Sequence, residues 1–174
     1  MPRSGWCSAA RRGTADPSRI CTVSASYGGH AALMGGAGTP DTYRCGASLA
    51  GISDLLELAR DRAHQVNRSE VFERKVASTW SGRQRLAGTS PRRLAERFRV
   101  PVLLVDGTLD LSVPFAQSQA MADALQAAGN PRRLAPLRDG DPYLSVAAHL
   151  LLFVRELEDF LPRQIGAGGE TASR

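Results

Sequence analysis

Ser26 lies in the run Ser24-Ala25-Ser26-Tyr27-Gly28-Gly29, with apolar Ile20-Cys21-Thr22-Val23 before it and His30-Ala31-Ala32-Leu33-Met34 after it. Acyl transfer by a serine needs a base to take its proton, a carboxylate to orient that base, and two N–H donors aimed at the developing oxyanion. An apolar strand, a sharp turn and a small-residue helix together hold such a serine at the tip of a sheet, as a nucleophile elbow does. Bulk two positions before or after the serine would strike the adjoining strand and helix, and Ser24 and Gly28 are both small. In that geometry the backbone N–H of Tyr27 supplies one oxyanion donor. A strand–helix turn with no chemistry would carry the same residues, so the argument depends on partners elsewhere.

The candidate acid is Asp110, in Asp106-Gly107-Thr108-Leu109-Asp110-Leu111-Ser112-Val113-Pro114. It follows the strongest strand signal of the chain and precedes a proline-started helix. Elbow folds take their triad in the order Ser, Asp or Glu, His, each on a loop after a strand. The plainer role for Asp110 is a helix-start aspartate favoured by the dipole. Its position and spacing after Ser26 favour the triad.

The elements that must place these residues alternate between strand and helix. Strands are predicted at 20–23, 45–50, 101–105 and, more weakly, 134–137, each short and apolar as buried parallel strands are. Helices are predicted at 27–36, in the charged segment 53–87 with Ser53 or Asp54 and then Ser69 as caps, and at 90–97 with Ser90 as cap and Pro91 at the first position. A helix from Val113-Pro114 closes at Gly129 and Pro131. The last helix, 145–161, is predicted to bury Val146, Leu150, Val154, Leu157 and Leu161 on one face. Four alternations imply a parallel sheet with helices on both faces, and the elbow implies that this α/β fold is of the hydrolase type.

Size and composition are compatible with one domain and a real core: 174 residues, 43% of them apolar. The start of the chain lacks the apolar stretch of a signal peptide, and no run approaches the ~20 residues that cross a bilayer, so a cytoplasmic protein without a membrane role is expected. The net charge of +5 comes almost wholly from arginine. The pairs Arg11-Arg12, Arg92-Arg93 and Arg132-Arg133 are scattered among acidic residues with few aromatics, so no nucleic-acid partner is expected. Cys7, Cys21 and Cys45 are odd in number and in no ligand pattern, and are expected to be free thiols; no metal or cofactor is implied. Asn67-Arg68-Ser69 is taken as a chance glycosylation sequon.

Several blocks together resemble one family. Ala15 to Ile20, Ser24 to Gly29, Thr39-Pro40-Asp41, Tyr43-Arg44-Cys45, Ala50 to Asp54 and Asp110 to Pro114 are similar, in order, to the C-terminal catalytic domain of prolyl oligopeptidase family serine peptidases, including dipeptidyl- and acylaminoacyl-peptidase-like members. The resemblance implies a partial α/β-hydrolase domain over 15–163; the stretch 1–14 before it is poorly patterned, and the tail 164–174 after it is expected to be disordered. It implies hydrolysis of oligopeptides, with Ser26 as nucleophile and Asp110 as acid.

The family's histidine belongs in the loop Asp139-Gly140-Asp141-Pro142-Tyr143-Leu144, where this chain has Pro142. Proline cannot accept a proton. His149 is the least poor substitute, though ~10 Å further along if helical; His30 is read as structural, and His64 lies in the charged helical segment, far from the sheet edge. Asp106 stands where relatives usually carry histidine. The resemblance also implies strands and a second oxyanion donor upstream, and only 19 residues precede Ile20. Activity of the chain alone is therefore expected to be very weak or absent. The alternative is a non-catalytic α/β-hydrolase module, self-associating or completed by a separate N-terminal part through an open sheet edge.

Overall fold

The computed structural model describes residues 11–60, 80–140 and 146–166. Within them the chain runs β1 (Cys21–Ala25), α1 (Ser26–Gly38), β2 (Cys45–Leu49), α2 (Leu55–Arg60), α3 (Trp80–Gly88), a 3₁₀ helix (Pro91–Arg97), β3 (Val102–Gly107), α4 (Phe115–Ala127), β4 (Arg132–Leu137) and α5 (Ala147–Ile165). The four strands form one parallel sheet in chain order, β1-β2-β3-β4. This is the predicted α/β architecture.

The two central strands explain the sheet. Every residue of Cys45–Leu49 and of Val102–Gly107 is buried, as expected of strands covered on both faces. Val102 and Leu104 point into one layer with Leu33 and Ala37 of α1, Phe98, and Met121 and Leu125 of α4. Leu103 and Val105 point the other way, with Ala47, Leu49 and Leu137, against Phe153, Leu157, Phe160 and Leu161 of α5. One face of the sheet therefore carries α1, the 3₁₀ helix and α4, and the other carries α5.

Some expectations are corrected. Cys21 and Cys45 are not free thiols: they stand opposite each other in the β1–β2 register and form a disulfide. The predicted apolar face of the last helix is only half used. Leu157 and Leu161 pack on the core, but Val146, Leu150 and Val154 are exposed, because the first half of α5 has no described element over it. That helix also continues to Ile165 rather than ending at Leu161.

Ser90 does not cap the segment after it, which is 3₁₀ rather than α. Its hydroxyl donates to the Leu86 carbonyl and accepts from the Leu55 N–H. Asp54 is the cap of α2: its Oδ1 accepts from the N–H groups of Leu56 and Glu57 at 3.0 and 3.1 Å, while Oδ2 accepts from Arg93 Nε at 2.9 Å. The expectations for His64, the sequon, Ser69 and Pro142, and all but the first three residues of the predicted tail, fall outside the described residues.

Candidate active site

The elbow is built by sterics at the end of β1. Ser26 has φ +53°, the left-handed region that a non-glycine residue adopts only where its surroundings hold it there. What holds it is close packing of α1 on the end of β2. A Cβ on Gly29 would lie 2.9 Å from Gly51 Cα and 3.3 Å from the Leu49 carbonyl oxygen. A Cβ on Gly28 would fall 2.1 Å from Ser24 Oγ, so the small residues flanking the serine answer to one another. His30 locks the helix from the other side, with Nδ1 at 2.9 Å from the Ile52 carbonyl oxygen and its ring stacked on Tyr27 at 5.6 Å. His30 is thus structural, as expected.

Ser26 and Tyr27 open α1, so their N–H groups are among the helix-start donors that have no intrahelical acceptor. The Tyr27 N–H is a donor available beside the serine. No second oxyanion donor is identified among the described residues.

Asp110 sits on the loop after β3, with β2 between it and the elbow. Strand spacing puts the two loops ~10 Å apart along one end of the sheet, a gap that an imidazole with a hydrogen bond at each nitrogen fills. The carboxylate is buried and divided in its duties. Oδ1 accepts from the N–H groups of Ser112 and Val113 at 2.6 and 2.8 Å, while Oδ2 is buried with no partner among the described residues. A fixed carboxylate with one free oxygen is what a triad acid presents to its base.

The acid loop is laced to the loop where that base would stand. Leu109 N–H donates to the Gly140 carbonyl, and Asp139 N–H donates to Thr108 Oγ1. Position 142 follows two residues later and is proline. His149 lies in the first turn of α5, half-buried, and bonds neither Ser26 nor Asp110; its Nδ1 has no partner among the described residues.

Asp106 forms an acidic pair with Asp110. It is fully buried at the end of β3; Oδ2 accepts from Ser118 Oγ at 2.6 Å and Oδ1 has no partner among the described residues. Burial pushes its carboxyl up to about 7; the Ser118 hydroxyl opposes the shift, the Asp110 charge adds to it, and the Gly107 N–H bond opposes it. Sequence reasoning placed an extra carboxylate here but not its partner on α4. Ser118, one helical turn into α4, was a signal only if the β3–α4 packing was known.

Comparisons with known proteins give the family and the fold. The model of the Prolyl oligopeptidase family matches residues 4–166. A dipeptidyl peptidase family member 6 from Caenorhabditis elegans is 30% identical over 122 residues, 68% of this chain and 16% of that protein. Dipeptidyl aminopeptidase BIII of Pseudoxanthomonas mexicana is 29% identical over 126 residues, 71% of this chain and 18% of that protein. Among solved structures, a puromycin-hydrolyzing peptidase of Mycobacterium tuberculosis superposes with TM-score 0.82 at 27% identity, over 92% of this chain and 24% of that one. An acylaminoacyl peptidase of Pyrococcus horikoshii shares the fold with TM-score 0.80 at 21% identity, over 97% of this chain and 28% of that one. The chain thus spans under a fifth of the curated relatives and about a quarter of the solved structures.

Proposed function

The chain belongs to the prolyl oligopeptidase family, and on that premise we propose that its site is a serine-peptidase centre with nucleophile and acid in place but without a base, so that it hydrolyses peptide bonds very slowly or not at all. The observation that carries this reading is the left-handed backbone of Ser26 at the β1–α1 junction. It lies at the same sheet end as Oδ2 of Asp110, which has no partner among the described residues.

In such a centre a base takes the Ser26 proton as Oγ attacks the carbonyl carbon, and the Tyr27 N–H stabilises the resulting oxyanion. Asp110 Oδ2 would accept the other N–H of the base and fix its tautomer. Pro142 offers no nitrogen lone pair for this role. Loss of a triad base costs ~10⁴–10⁶ in turnover, and loss of an oxyanion donor ~10²–10³. Peptide substrates are proposed from the family and from the names of the relatives.

A fluorophosphonate probe tests this reading, since it reacts with serines that a base has activated. Ser26 in the wild-type chain is expected to label no faster than the background of Ser26→Ala. Rapid labelling that Ser26→Ala abolishes would overturn it and point to another base.

A further inference from the structure

Cys21 opens β1 and Cys45 opens β2, and the parallel register sets them opposite each other. Their Cα atoms stand 4.7 Å apart, the ordinary spacing of neighbouring strands and inside the range that a disulfide spans, so the bond does not distort the ladder. Both side chains belong to the α5 face, in one apolar layer with Ala47, Phe160 and Leu161. Cys45 is wholly buried there, and Cys21 is half-buried. Arg19 closes that end of the layer. It donates Nε to the Ile165 carbonyl at 2.6 Å and Nη2 to the Gly166 carbonyl at 3.2 Å, which ties the end of α5 to the lead-in of β1.

Burial decides when such a bond can form and when it can break. Thiol–disulfide exchange requires a thiolate to reach a sulfur directly. In the folded chain an external thiolate can approach only from the side of Cys21, and its attack there would release Cys45 as a thiolate. A thiolate in apolar surroundings is a poor leaving group, so the folded chain resists reduction. The reverse direction is hindered as well, because two thiols already folded into this layer are shielded from an oxidant. The bond is therefore made while β1 and β2 pair and before α5 is seated. Once made, it preserves the redox state of the place where the chain folds.

A reducing cytosol keeps thiols reduced, and buried structural disulfides belong to oxidising compartments. We propose that this chain folds in an oxidising compartment outside the cytosol, where a disulfide-bearing oxidant closes Cys21–Cys45 during folding. One cysteine thiolate attacks the oxidant's disulfide and releases its first thiol; the other attacks the mixed disulfide and releases the second. Two electrons pass to the oxidant, and the two cysteine protons end on its thiols. The cytoplasmic location expected from the sequence goes with three free thiols, and an exported location takes its place. The loop so closed, with its ends 24 residues apart, contains Ser26 and all of α1. The proposal concerns folding, so it holds whether or not Ser26 turns over a substrate.

Alkylating the cells that make the protein with N-ethylmaleimide at lysis, before fractionation, preserves the native state of each cysteine. The expected result is a chain outside the cytosolic fraction, with Cys21 and Cys45 recovered as one cross-linked peptide by mass spectrometry. Alkylated Cys21 and Cys45 overturn the proposal, and so does a bonded chain in the cytosolic fraction. The order of folding and oxidation is tested on the purified protein in a Cys7→Ser background, which leaves only the pair. Refolding with oxidised glutathione should close the bond at least about tenfold faster than adding oxidised glutathione to a chain first folded with reductant. Equal rates overturn the proposal. A chain that folds only once the bond is closed supports it, since such a chain has no folded form in a reducing cytosol.

Discussion

Replacing Asp106 with asparagine should make the protein more stable, and increasingly so as the pH rises to neutrality. Asp106 is fully buried, and its carboxyl is raised from 3.8 to about 7, first by that burial. The folded chain therefore keeps this proton up to about neutral pH, while the unfolded chain loses it near 3.8. Between those values the native state binds more protons than the unfolded state, so this group makes stability fall as pH rises, and above about 7 the loss is complete. A separation of about three pH units at ~1.4 kcal/mol each sets a ceiling of ~4 kcal/mol. Asparagine has nearly the same shape, stays neutral, and its carbonyl accepts from Ser118 as Oδ2 does.

The assay is urea unfolding of both proteins at matched pH values from about 5 to 8.5. Any cost of the substitution itself is independent of pH, so the slope is what matters. The advantage of Asp106→Asn should grow by ~3 kcal/mol between pH 5 and 7 and then stay constant. In Asp110→Asn the break should move to lower pH, because one of the pressures on Asp106 is gone. A gap between wild type and Asp106→Asn that is the same at every pH would refute the reasoning.

Two further perturbations probe the elbow and its strand. Gly29→Ala puts a Cβ 2.9 Å from backbone Cα of Gly51, so helix and strand must part; a loss of ~1–3 kcal/mol is expected by urea unfolding, larger than for Gly28→Ala, whose clash is with the movable Ser24 hydroxyl. Reducing Cys21–Cys45, which spans 24 residues, should cost ~3 kcal/mol on the chain-entropy estimate. Thiol titration of the denatured, unreduced chain checks the premise: one reactive thiol, Cys7, is expected, and three would contradict it.

The parts of this molecule that were legible in its sequence are those governed by local sterics. Small residues around Ser26 announce the elbow because the clash they avoid lies within a few residues, and the glycine contacts bear that out. At Asp110 the local bonds of Oδ1, to N–H groups two and three residues on, are those of the helix-start aspartate that the sequence also allowed, whereas the acid role was read from its place after β3 and the order of the triad. The disulfide was not legible as a count of cysteines. It requires that β1 and β2 be neighbours in parallel and in register, and then Cys21 and Cys45, each opening its strand, fall opposite one another. The missed half of α5 is different again. Val146, Leu150 and Val154 have the spacing of a buried face, but spacing says only that a face seeks cover, not that this chain supplies it.

The elbow and the base belong to different parts of the fold, and this separates shape from activity. The left-handed backbone of Ser26 costs ~1–3 kcal/mol, maintained by α1 packing against β2 and Gly51, and by β1 cross-linked to β2. None of those supports involves the loop at position 142. The loss of a base, by contrast, raises the reaction barrier by roughly 5–8 kcal/mol, the equivalent of ~10⁴–10⁶ in rate, and concerns one residue. On the proposed reading, the strained geometry at Ser26 is therefore kept independently of whether a base stands at position 142. Conversely, on the same reading a histidine introduced at position 142 would meet an acid already fixed for it, because the Ser112 and Val113 N–H groups hold Oδ1 of Asp110 and its Oδ2 has no partner among the described residues.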